Sequence, residues 1–263
     1  MIHSALMNVM TAAALKAGRG LKRDFGEVEN LQVSVKGPGD FVSAADRKAE
    51  KVLFEELSKA RPGYGFLMEE QGAVEGSDKS HRWIIDPLDG TTNFLHGLPI
   101  FAISVGLERE GQLVAGLVYN PVTDEMFIAE KGQGAWLNNR RLRVAGRNRL
   151  ADALVACGVP HLGKAKDHPR FKTELGAVMA RVSNVRRLGS AALDLAGVAA
   201  GRYDAYWERN LQPWDIAAGI VLVREAGGFV SDADGGTDML GRCSVIAGNE
   251  VMQREMQSLL RNA

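Results

Sequence analysis

The sequence has little cysteine and little proline, and neither sign of charge is in excess. Its two cysteines, Cys157 and Cys243, lie far apart and belong to no CxxC or histidine-containing zinc pattern. This excludes a disulfide framework or a zinc finger and favours two buried free thiols in a reducing cytoplasm. With 32 Lys and Arg against 32 Asp and Glu, no global field favours broad binding to nucleic acid or to an anionic membrane. The 8 prolines against 30 glycines indicate tight turns rather than a disordered linker.

Long apolar runs are also absent. No uninterrupted run approaches the roughly 18 residues that a membrane span needs. At the N-terminus the basic residues follow the apolar stretch, whereas a signal peptide has them before it, so we expect an amphipathic helix there. Hydrophobic residues at 46% and charged residues at 24% are ordinary globular values. We therefore expect a soluble, cytoplasmic protein that forms one compact unit over residues 1–263, with any subdivision falling between 1–148 and 149–263.

The kind of predicted element changes along the chain. Apolar spacing predicts helices over residues 3–23, ending near Gly20, and over 44–60. Strands joined by short turns follow between residues 101 and 130, which predicts an antiparallel meander. From about residue 150 strands alternate with helices, which is typical of an α/β arrangement. The helices of this second half are expected at 169–181, 190–200, 213–226 and from Asn249 onward.

The stretch HRWIIDPLDGTTNF leads an apolar strand into two aspartates. Pro87 fixes the turn there, and Gly90 frees the backbone. The carboxylates of Asp86 and Asp89 and the carbonyl of Leu88 can then point to one place. All-oxygen sets of this kind suit hard divalent cations, above all Mg²⁺. Because the D-P-x-D-G pattern is also good turn chemistry, the local sequence alone leaves a turn and a metal site equally open.

Further polar groups occupy the ends of other predicted elements. Gly90, Thr91 and Thr92 follow the aspartates, and their backbone N–H groups would open a short helix and offer a phosphate site. Asp215 begins an almost wholly apolar helix, where a helix cap is the plain alternative to a functional role. Two other carboxylates stand at predicted element ends, namely Asp46 and Glu69.

Two stretches, WIIDPLDGTTNF and WDIAAGIVLVREAGG, resemble the two signatures of the inositol monophosphatase family, whose members are Mg²⁺-dependent, lithium-sensitive sugar-phosphate phosphatases. They occur in the family's order and at its distance along the chain. Supporting matches cover nearly the whole chain, namely GDFVSAAD, FLMEEQG, KGQGAWLNN and RLGSAALDLAGVAAGRYDAYWE. The chain is therefore identified as a member of this family from its sequence.

The resemblance implies a set of metal ligands. Glu69, Asp86 and the carbonyl of Leu88 would bind one Mg²⁺. Asp86, Asp89 and Asp215 would bind a second, so that Asp86 bridges the two ions. The two ions would clamp the ester oxygens between them.

The resemblance also implies which groups act on water and on substrate. Thr91 would orient the attacking water together with Glu69 or Asp46, and Asp46 would also touch a weaker third ion, if one binds, through water. Lys36, on a Gly-Pro-Gly loop, matches a mobile loop residue of the family, and its role is left open. The substrate would be contacted by Asp89, Gly90, Thr91, Thr92, Gly189, Ser190, Ala191 and Glu208.

For the whole molecule, the resemblance implies an α/β fold: a layered αβαβα sandwich of the sugar-phosphatase type, with a mainly antiparallel first sheet and a smaller mixed second sheet. It implies a homodimer that hydrolyses a phosphomonoester by metal-activated water, without a phosphoenzyme, with myo-inositol monophosphate as the first candidate. Residues 158–163 depart from the animal enzymes and are more like bacterial members, so fructose 1,6-bisphosphate, histidinol phosphate and nucleotide 3'-phosphate stay open. The rival from another class is a regulatory protein that binds RNA or a transcription complex, with hydrolysis secondary.

Overall fold

The computed structural model of this protein describes residues 4–27, 33–37 and 40–263, and for 33–37 and 40–42 it describes the backbone only. This part of the chain holds eight α-helices and fifteen strands. The helices are α1 (Ala5–Phe25), α2 (Ala44–Ala60), α3 (Thr91–Leu95), α4 (His168–Met179), α5 (Ala191–Ala199), α6 (Pro213–Glu225), α7 (Met239–Arg242) and α8 (Glu250–Arg261). The strands are β1 (Val33–Gly37), β2 (Asp40–Ser43), β3 (Tyr64–Met68), β4 (Gly72–Val74), β5 (Asp78–Asp89), β6 (Ala102–Arg109), β7 (Gln112–Asn120), β8 (Glu125–Glu130), β9 (Gly134–Leu137), β10 (Arg140–Arg141), β11 (Leu154–Cys157), β12 (Asn184–Arg186), β13 (Ala205–Arg209), β14 (Phe229–Ser231) and β15 (Ser244–Gly248).

The first sheet contains eight strands in the order β10-β9-β8-β7-β6-β5-β3-β4. All its neighbouring pairs are antiparallel except β3 and β5, which run parallel. Strands β6 to β8 form a meander, which confirms the prediction for residues 101–130. The parallel pair matters for the site, because the carboxyl ends of parallel strands meet at one edge of a sheet.

The second sheet contains five strands in the order β12-β11-β13-β15-β14. Strand β11 runs parallel to both of its neighbours, whereas β15 runs antiparallel to β13 and to β14. The sheet is therefore mixed and smaller than the first, as the sequence predicts. A separate antiparallel pair, β1 and β2, precedes α2.

Helices cover and separate the two sheets, which gives five layers. Helices α1 and α2 pack on one face of the first sheet, and Met10, Leu53 and Trp83 belong to the same buried apolar cluster. Helices α5 and α6 fill the space between the sheets, and α4 and α8 cover the second sheet. Each of the three interfaces is a cluster of buried apolar side chains, because every sheet face must be removed from water. The arrangement is the predicted αβαβα sandwich.

Helix α6 lies unusually close to the first sheet. A Cβ atom added to Gly116 would lie 2.4 Å from the carbonyl oxygen of Ala218, and one added to Gly106 would lie 2.9 Å from the Cβ of Ala217. Glycine at both strand positions therefore permits the helix backbone to approach. This contact fixes the first turn of α6, which carries Asp215, relative to the end of β5.

Three local predictions differ from the structure. Helix α1 continues through Gly20 to Phe25, because the next turn buries Leu21 and an exposed glycine costs a helix only about 1 kcal/mol. Strand β5 continues through Pro87, with an irregular register between Asp86 and Asp89, where proline offers no N–H to the ladder. Cys157 is buried as expected, but Cys243 is only half-buried.

Candidate active site

The parallel pair β3 and β5 brings Glu69 and Asp86 side by side. Met68 pairs with Ile85, and the N–H of Glu69 donates to the Ile85 carbonyl at 3.2 Å. After burial, the charge of Glu69 is the largest of the effects that raise the pKa of Asp86. The site therefore begins with two acidic groups held together by sheet geometry.

Asp86 has a strongly perturbed carboxyl group. It is 2% exposed, and one of its oxygens accepts a hydrogen bond from the Leu88 N–H at 2.8 Å. Burial raises its pKa well above the ordinary value, and the charges of Glu69, Asp89 and Asp215 raise it further. Four carboxylates thus lie close enough together to repel one another.

Asp89 connects β5 to the first turn of α5. One carboxylate oxygen accepts hydrogen bonds from the Ser190 hydroxyl and from the Ala192 N–H, both at 2.7 Å. Burial raises the pKa of Asp89 to about 6, and these donors act in the opposite direction because they favour the charged form. The donors fix the side chain in one orientation.

Asp215 has both roles that its sequence leaves open. It caps α6, because one of its oxygens accepts the N–H of Gln212 at 2.7 Å in a capping box. It also belongs to the acidic group, since burial and then Asp89 raise its pKa well above the ordinary value. The cap holds the carboxyl at the end of α6 that meets β5.

Asp46 and Thr91 form a second polar pair beside the cluster. Asp46 accepts hydrogen bonds from the N–H and from the hydroxyl of Ser43, and the bond from the N–H is one half of the capping box of α2. The Thr91 hydroxyl lies 3.0 Å from its other oxygen and 3.1 Å from the carbonyl oxygen of Leu88. Burial raises the pKa of Asp46. The structure therefore places this threonine between a carboxylate and a backbone carbonyl.

Among the described residues, no group of three or more acidic, histidine or cysteine side chains is arranged so that it could hold a metal ion. One carboxylate oxygen of each of Asp86, Asp89 and Asp215 accepts hydrogen bonds from N–H or hydroxyl donors. The donor chemistry nevertheless fits Mg²⁺, because all the candidate ligands are oxygens and most are anionic. Clustered buried carboxylates are also costly without a cation or a proton to offset their charge.

The turn after Asp89 depends on a glycine. Gly90 has a φ of +98°, which other residues avoid, and a Cβ there would lie 2.9 Å from the Ile100 carbonyl oxygen. Helix α3 begins directly after it, as predicted. A cavity of about 230 Å³ opens above this turn. Its lining includes Asp89, Gly90, Thr91, Thr92, Gly189, Ser190, Ala191, Glu208 and Asp215.

Glu208 stands in the same cavity, on β13 of the second sheet. The Tyr206 hydroxyl donates a hydrogen bond to it. Burial raises the pKa of Glu208 to about 7, while the Tyr206 hydrogen bond and the charge of Arg187 act in the opposite direction. All eight residues that the sequence predicts to contact substrate therefore line one cavity. The side chain of Lys36 lies outside the described residues.

Sequence reasoning missed Glu50, which holds the backbone next to Glu69 by hydrogen bonds. Its carboxylate is fully buried and accepts hydrogen bonds from the N–H groups of Glu70 at 2.8 Å and Gln71 at 3.0 Å. These bonds hold the turn that follows Glu69. A signal was present, because Glu50 is a charged residue on the apolar face of α2, beside Leu53.

Sequence reasoning also missed Asn93. Its side-chain amide donates to the carbonyl oxygens of Ile100 and Leu188, both at 2.8 Å. It thereby ties the turn at Gly90 to the segment that precedes Gly189. Nothing in the local sequence signals this role, since one partner lies 95 residues away.

Known proteins resemble this chain along its whole length. Residues 3–263 match the family described as "Inositol monophosphatase family". A protein of Mesorhizobium japonicum named inositol-1-monophosphatase is 68% identical over 256 residues, covering 97% of this chain and 96% of that protein. The crystal structure of extragenic suppressor protein suhB from Bartonella henselae superposes with a TM-score of 0.96 at 59% identity, covering 99% of this chain and 100% of that one. The Nus factor SuhB of Pseudomonas aeruginosa is 42% identical over 247 residues, covering 93% of this chain and 91% of that protein.

Proposed function

The chain belongs to the inositol monophosphatase family and is a phosphatase, and from this premise we propose that it hydrolyses a small sugar phosphate, first of all myo-inositol monophosphate. The observation that carries the proposal is the single cavity that joins Asp89 and Asp215 to Glu208. A sugar-phosphate phosphatase needs groups at one end of its pocket that help to neutralise the charge of the phosphate. At the other end it needs groups that accept hydrogen bonds from the hydroxyls of the sugar. Metal dependence is a trait of the family, as is sensitivity to lithium.

We assign the metal ligands by their position in the acidic cluster. Glu69, Asp86 and the Leu88 carbonyl would hold one Mg²⁺, and Asp86, Asp89 and Asp215 a second. The mutual repulsion of the four carboxylates supports this assignment, because a cation bound among them would remove it. A third ion near Asp46 is a further proposal, as is a role for Lys36.

The side chains around the cluster would orient the reacting groups. When bound, the ions would supply the Lewis acid that activates water and neutralises charge on the leaving oxygen. Thr91 can donate a hydrogen bond to Asp46 and accept a hydrogen bond from the attacking water, which would align that water, with Glu69 as the water's second acceptor. Ser190 and the Ala192 N–H keep Asp89 in place. No covalent nucleophile is needed, and burial raises the pKa of Cys157 to about 12, which keeps it an unreactive thiol.

Glu208 would select the substrate. A carboxylate accepts hydrogen bonds from two neighbouring hydroxyls, and the cavity of about 230 Å³ fits a small polyol better than a large ligand. We propose that the turn at Gly90, Thr91 and Thr92 holds the phosphate, and that Gly189, Ser190 and Ala191 contact the sugar. Fructose 1,6-bisphosphate, histidinol phosphate and nucleotide 3'-phosphate are the competing substrates.

Phosphate release tests the proposal. The protein is assayed against a panel of inositol, fructose, histidinol and nucleotide phosphates, with Mg²⁺ varied, Li⁺ added and EDTA as the metal-free control. We expect Asp89→Asn and Asp215→Asn to lower turnover by about 10³-fold or more with the fold retained, because each loses an anionic ligand. Glu255→Gln, at an exposed position in α8, makes the same kind of charge change and should leave turnover intact. Near-normal turnover in both aspartate variants would refute the assigned site.

A second candidate function is regulatory, and the 42% identity to a protein named Nus factor SuhB favours it. On this proposal the chain docks on a protein or RNA of a transcription complex, and hydrolysis is secondary. Binding that survives Asp86→Asn and weakens steeply with salt would support nucleic-acid contact. Metal-dependent phosphate release that Asp86→Asn abolishes would support the enzyme.

We also propose the quaternary and cellular setting. The chain would act as a homodimer and as a single unit over residues 1–263, and the free thiols Cys157 and Cys243 support a reducing cytoplasm. Among the described helices, none is both long and apolar enough to cross a membrane. Analytical ultracentrifugation over a range of concentrations measures the oligomeric state.

A further inference from the structure

We infer that Gly158 is a specificity-determining residue, because its missing side chain leaves the space in which the Glu208 carboxylate sits. Gly158 would thereby set the position of the Glu208 carboxylate, which accepts hydrogen bonds from the sugar hydroxyls. The inference rests on the proposed function, in which Glu208 binds those hydroxyls. It concerns a positioning residue, since Gly158 acts through Glu208.

The contact between the two residues follows from the second sheet. Strands β11 and β13 run parallel with Cys157 opposite Trp207, and the Gly158 N–H donates to the Trp207 carbonyl at 3.3 Å. The next residues along the chain are therefore Gly158, directly after β11, and Glu208, on β13. A Cβ added to Gly158 would lie 1.7 Å from the carboxylate carbon of Glu208 and 2.0 Å from each of its oxygens. These distances are far inside van der Waals contact, so a side chain at 158 and the present position of the carboxylate exclude each other.

The clash is with a side-chain end and not with the backbone. The three atoms nearest to the added Cβ all belong to the Glu208 carboxylate, which can swing away by rotation about its own bonds. Gly158 is also absent from the residues with positive φ, so alanine can adopt its backbone conformation. A methyl group at 158 would therefore move the carboxylate while leaving the sheet in place.

The position of the pair shows what that movement would change. Gly158 and Glu208 line the candidate active-site cavity and also a neighbouring cavity of about 240 Å³, whose lining includes Arg170 and Arg209. The pair is therefore part of the wall that both cavities share. Any residue larger than glycine at 158 would need a different position of the Glu208 carboxylate.

The test is the ratio of kcat/KM for myo-inositol 1-phosphate to kcat/KM for p-nitrophenyl phosphate, which has no sugar hydroxyls. We expect both Gly158→Ala and Glu208→Ala to lower this ratio about tenfold or more, since hydrogen bonds to a charged group are lost or misplaced. In the Glu208→Ala background, Gly158→Ala should have no further effect, because the added methyl then meets no carboxylate. Gly176→Ala is the matched control: it adds the same methyl group in α4, where nothing lies within 4 Å.

The outcomes separate the inference from the proposed function. If Glu208→Ala lowers the ratio and Gly158→Ala leaves it unchanged, the role of Gly158 is wrong while that of Glu208 stands. If the wild-type protein shows no preference for the sugar phosphate, or Glu208→Ala leaves the ratio unchanged, both are wrong. If Gly158→Ala fails to fold, refolding of the double variant supports the inference, whereas an unfolded double variant places the clash elsewhere and overturns it.

Discussion

Asp194, in α5, is a buried carboxyl to which the proposed mechanism gives no role. It is 1% exposed, and one of its oxygens has no hydrogen-bond partner among the described residues. Burial raises its pKa to about 8, and the charges of Glu208 and Asp89 add to the effect, while Arg187 acts in the opposite direction. Asp194 is therefore expected to be protonated at neutral pH in the folded, metal-free protein.

This carboxyl predicts how stability depends on pH. Between its ordinary pKa of 3.8 and its folded value of about 8, the folded protein keeps a proton that the unfolded chain has released. Its contribution to stability is therefore lost as the pH rises through that window. Asp194→Asn should make unfolding less dependent on pH and should stabilise the protein relative to wild type most at pH 8. Urea unfolding in EDTA from pH 5 to 8 measures this, with Asp152→Asn, at an exposed aspartate, as the control. Equal slopes in wild type and Asp194→Asn would contradict the prediction.

At the level of elements, the close contact between α6 and the first sheet predicts that one added methyl group lowers the stability of the protein. Gly116→Ala places a methyl group 2.4 Å from the backbone of Ala218, and a backbone atom cannot rotate away. We expect the free energy of unfolding to fall by about 1–3 kcal/mol, which is typical of overpacking. Turnover should fall with it, because α6 carries Asp215.

Gly20→Ala in α1 is the matched control for this change. Nothing lies within 4 Å of the added Cβ, and α1 should become more stable by up to about 1 kcal/mol. Thermal unfolding of both variants and of the wild type measures the change in stability, and phosphate release measured in parallel gives the change in turnover. Equal stability of Gly116→Ala and wild type would show that α6 can move away from the sheet at no cost.

The elements also show what the sequence could and could not predict. The bounds of α2 and the meander followed from apolar spacing and turn residues, which act within a few positions of one another. The partnership of Gly158 with Glu208 depends on the parallel pairing of β11 with β13, and that pairing joins segments about 50 residues apart. Local patterns contain no information on such a contact. The same reason explains why Asn93 was missed while Asp86 and Asp89, which lie within one turn, were found.

For the whole molecule, the acidic cluster predicts a conflict between stability and metal binding. Without a metal, the carboxylates that surround Asp86 repel it. Asp86→Asn should therefore raise the Tm of the protein in EDTA, by about 2–4 °C for each kcal/mol of relieved repulsion in a chain of this size. Saturating Mg²⁺ should raise the Tm of the wild type, by an amount equivalent to about 2.7 kcal/mol at 100 times Kd.

The same Mg²⁺ titration should leave the Tm of Asp86→Asn nearly unchanged, because the ligand that we propose both ions share would be lost. Differential scanning fluorimetry of both proteins, with Glu255→Gln as the surface control, gives all the comparisons in one experiment. A lower Tm for Asp86→Asn in EDTA would show that its hydrogen bonds with Leu88 and Glu69 outweigh the repulsion. A normal Mg²⁺ shift in that variant would remove Asp86 from the ligand set.

The two sheets also differ in how far along the chain their partners lie, and this has a consequence for the order of folding. Strands β6 and β7 meet through a tight turn at Glu110 and Gly111, whereas in the second sheet Val155 pairs with Ala205. Closing a longer loop costs more entropy, so the meander is expected to form early and the second sheet late. Asp215 and Glu208 then reach Asp86 and Asp89 only in the last steps. Repulsion of Asp89 by Glu208 and Asp215 would therefore leave the meander untouched and slow the late closure of the site, which a divalent cation in the medium would speed.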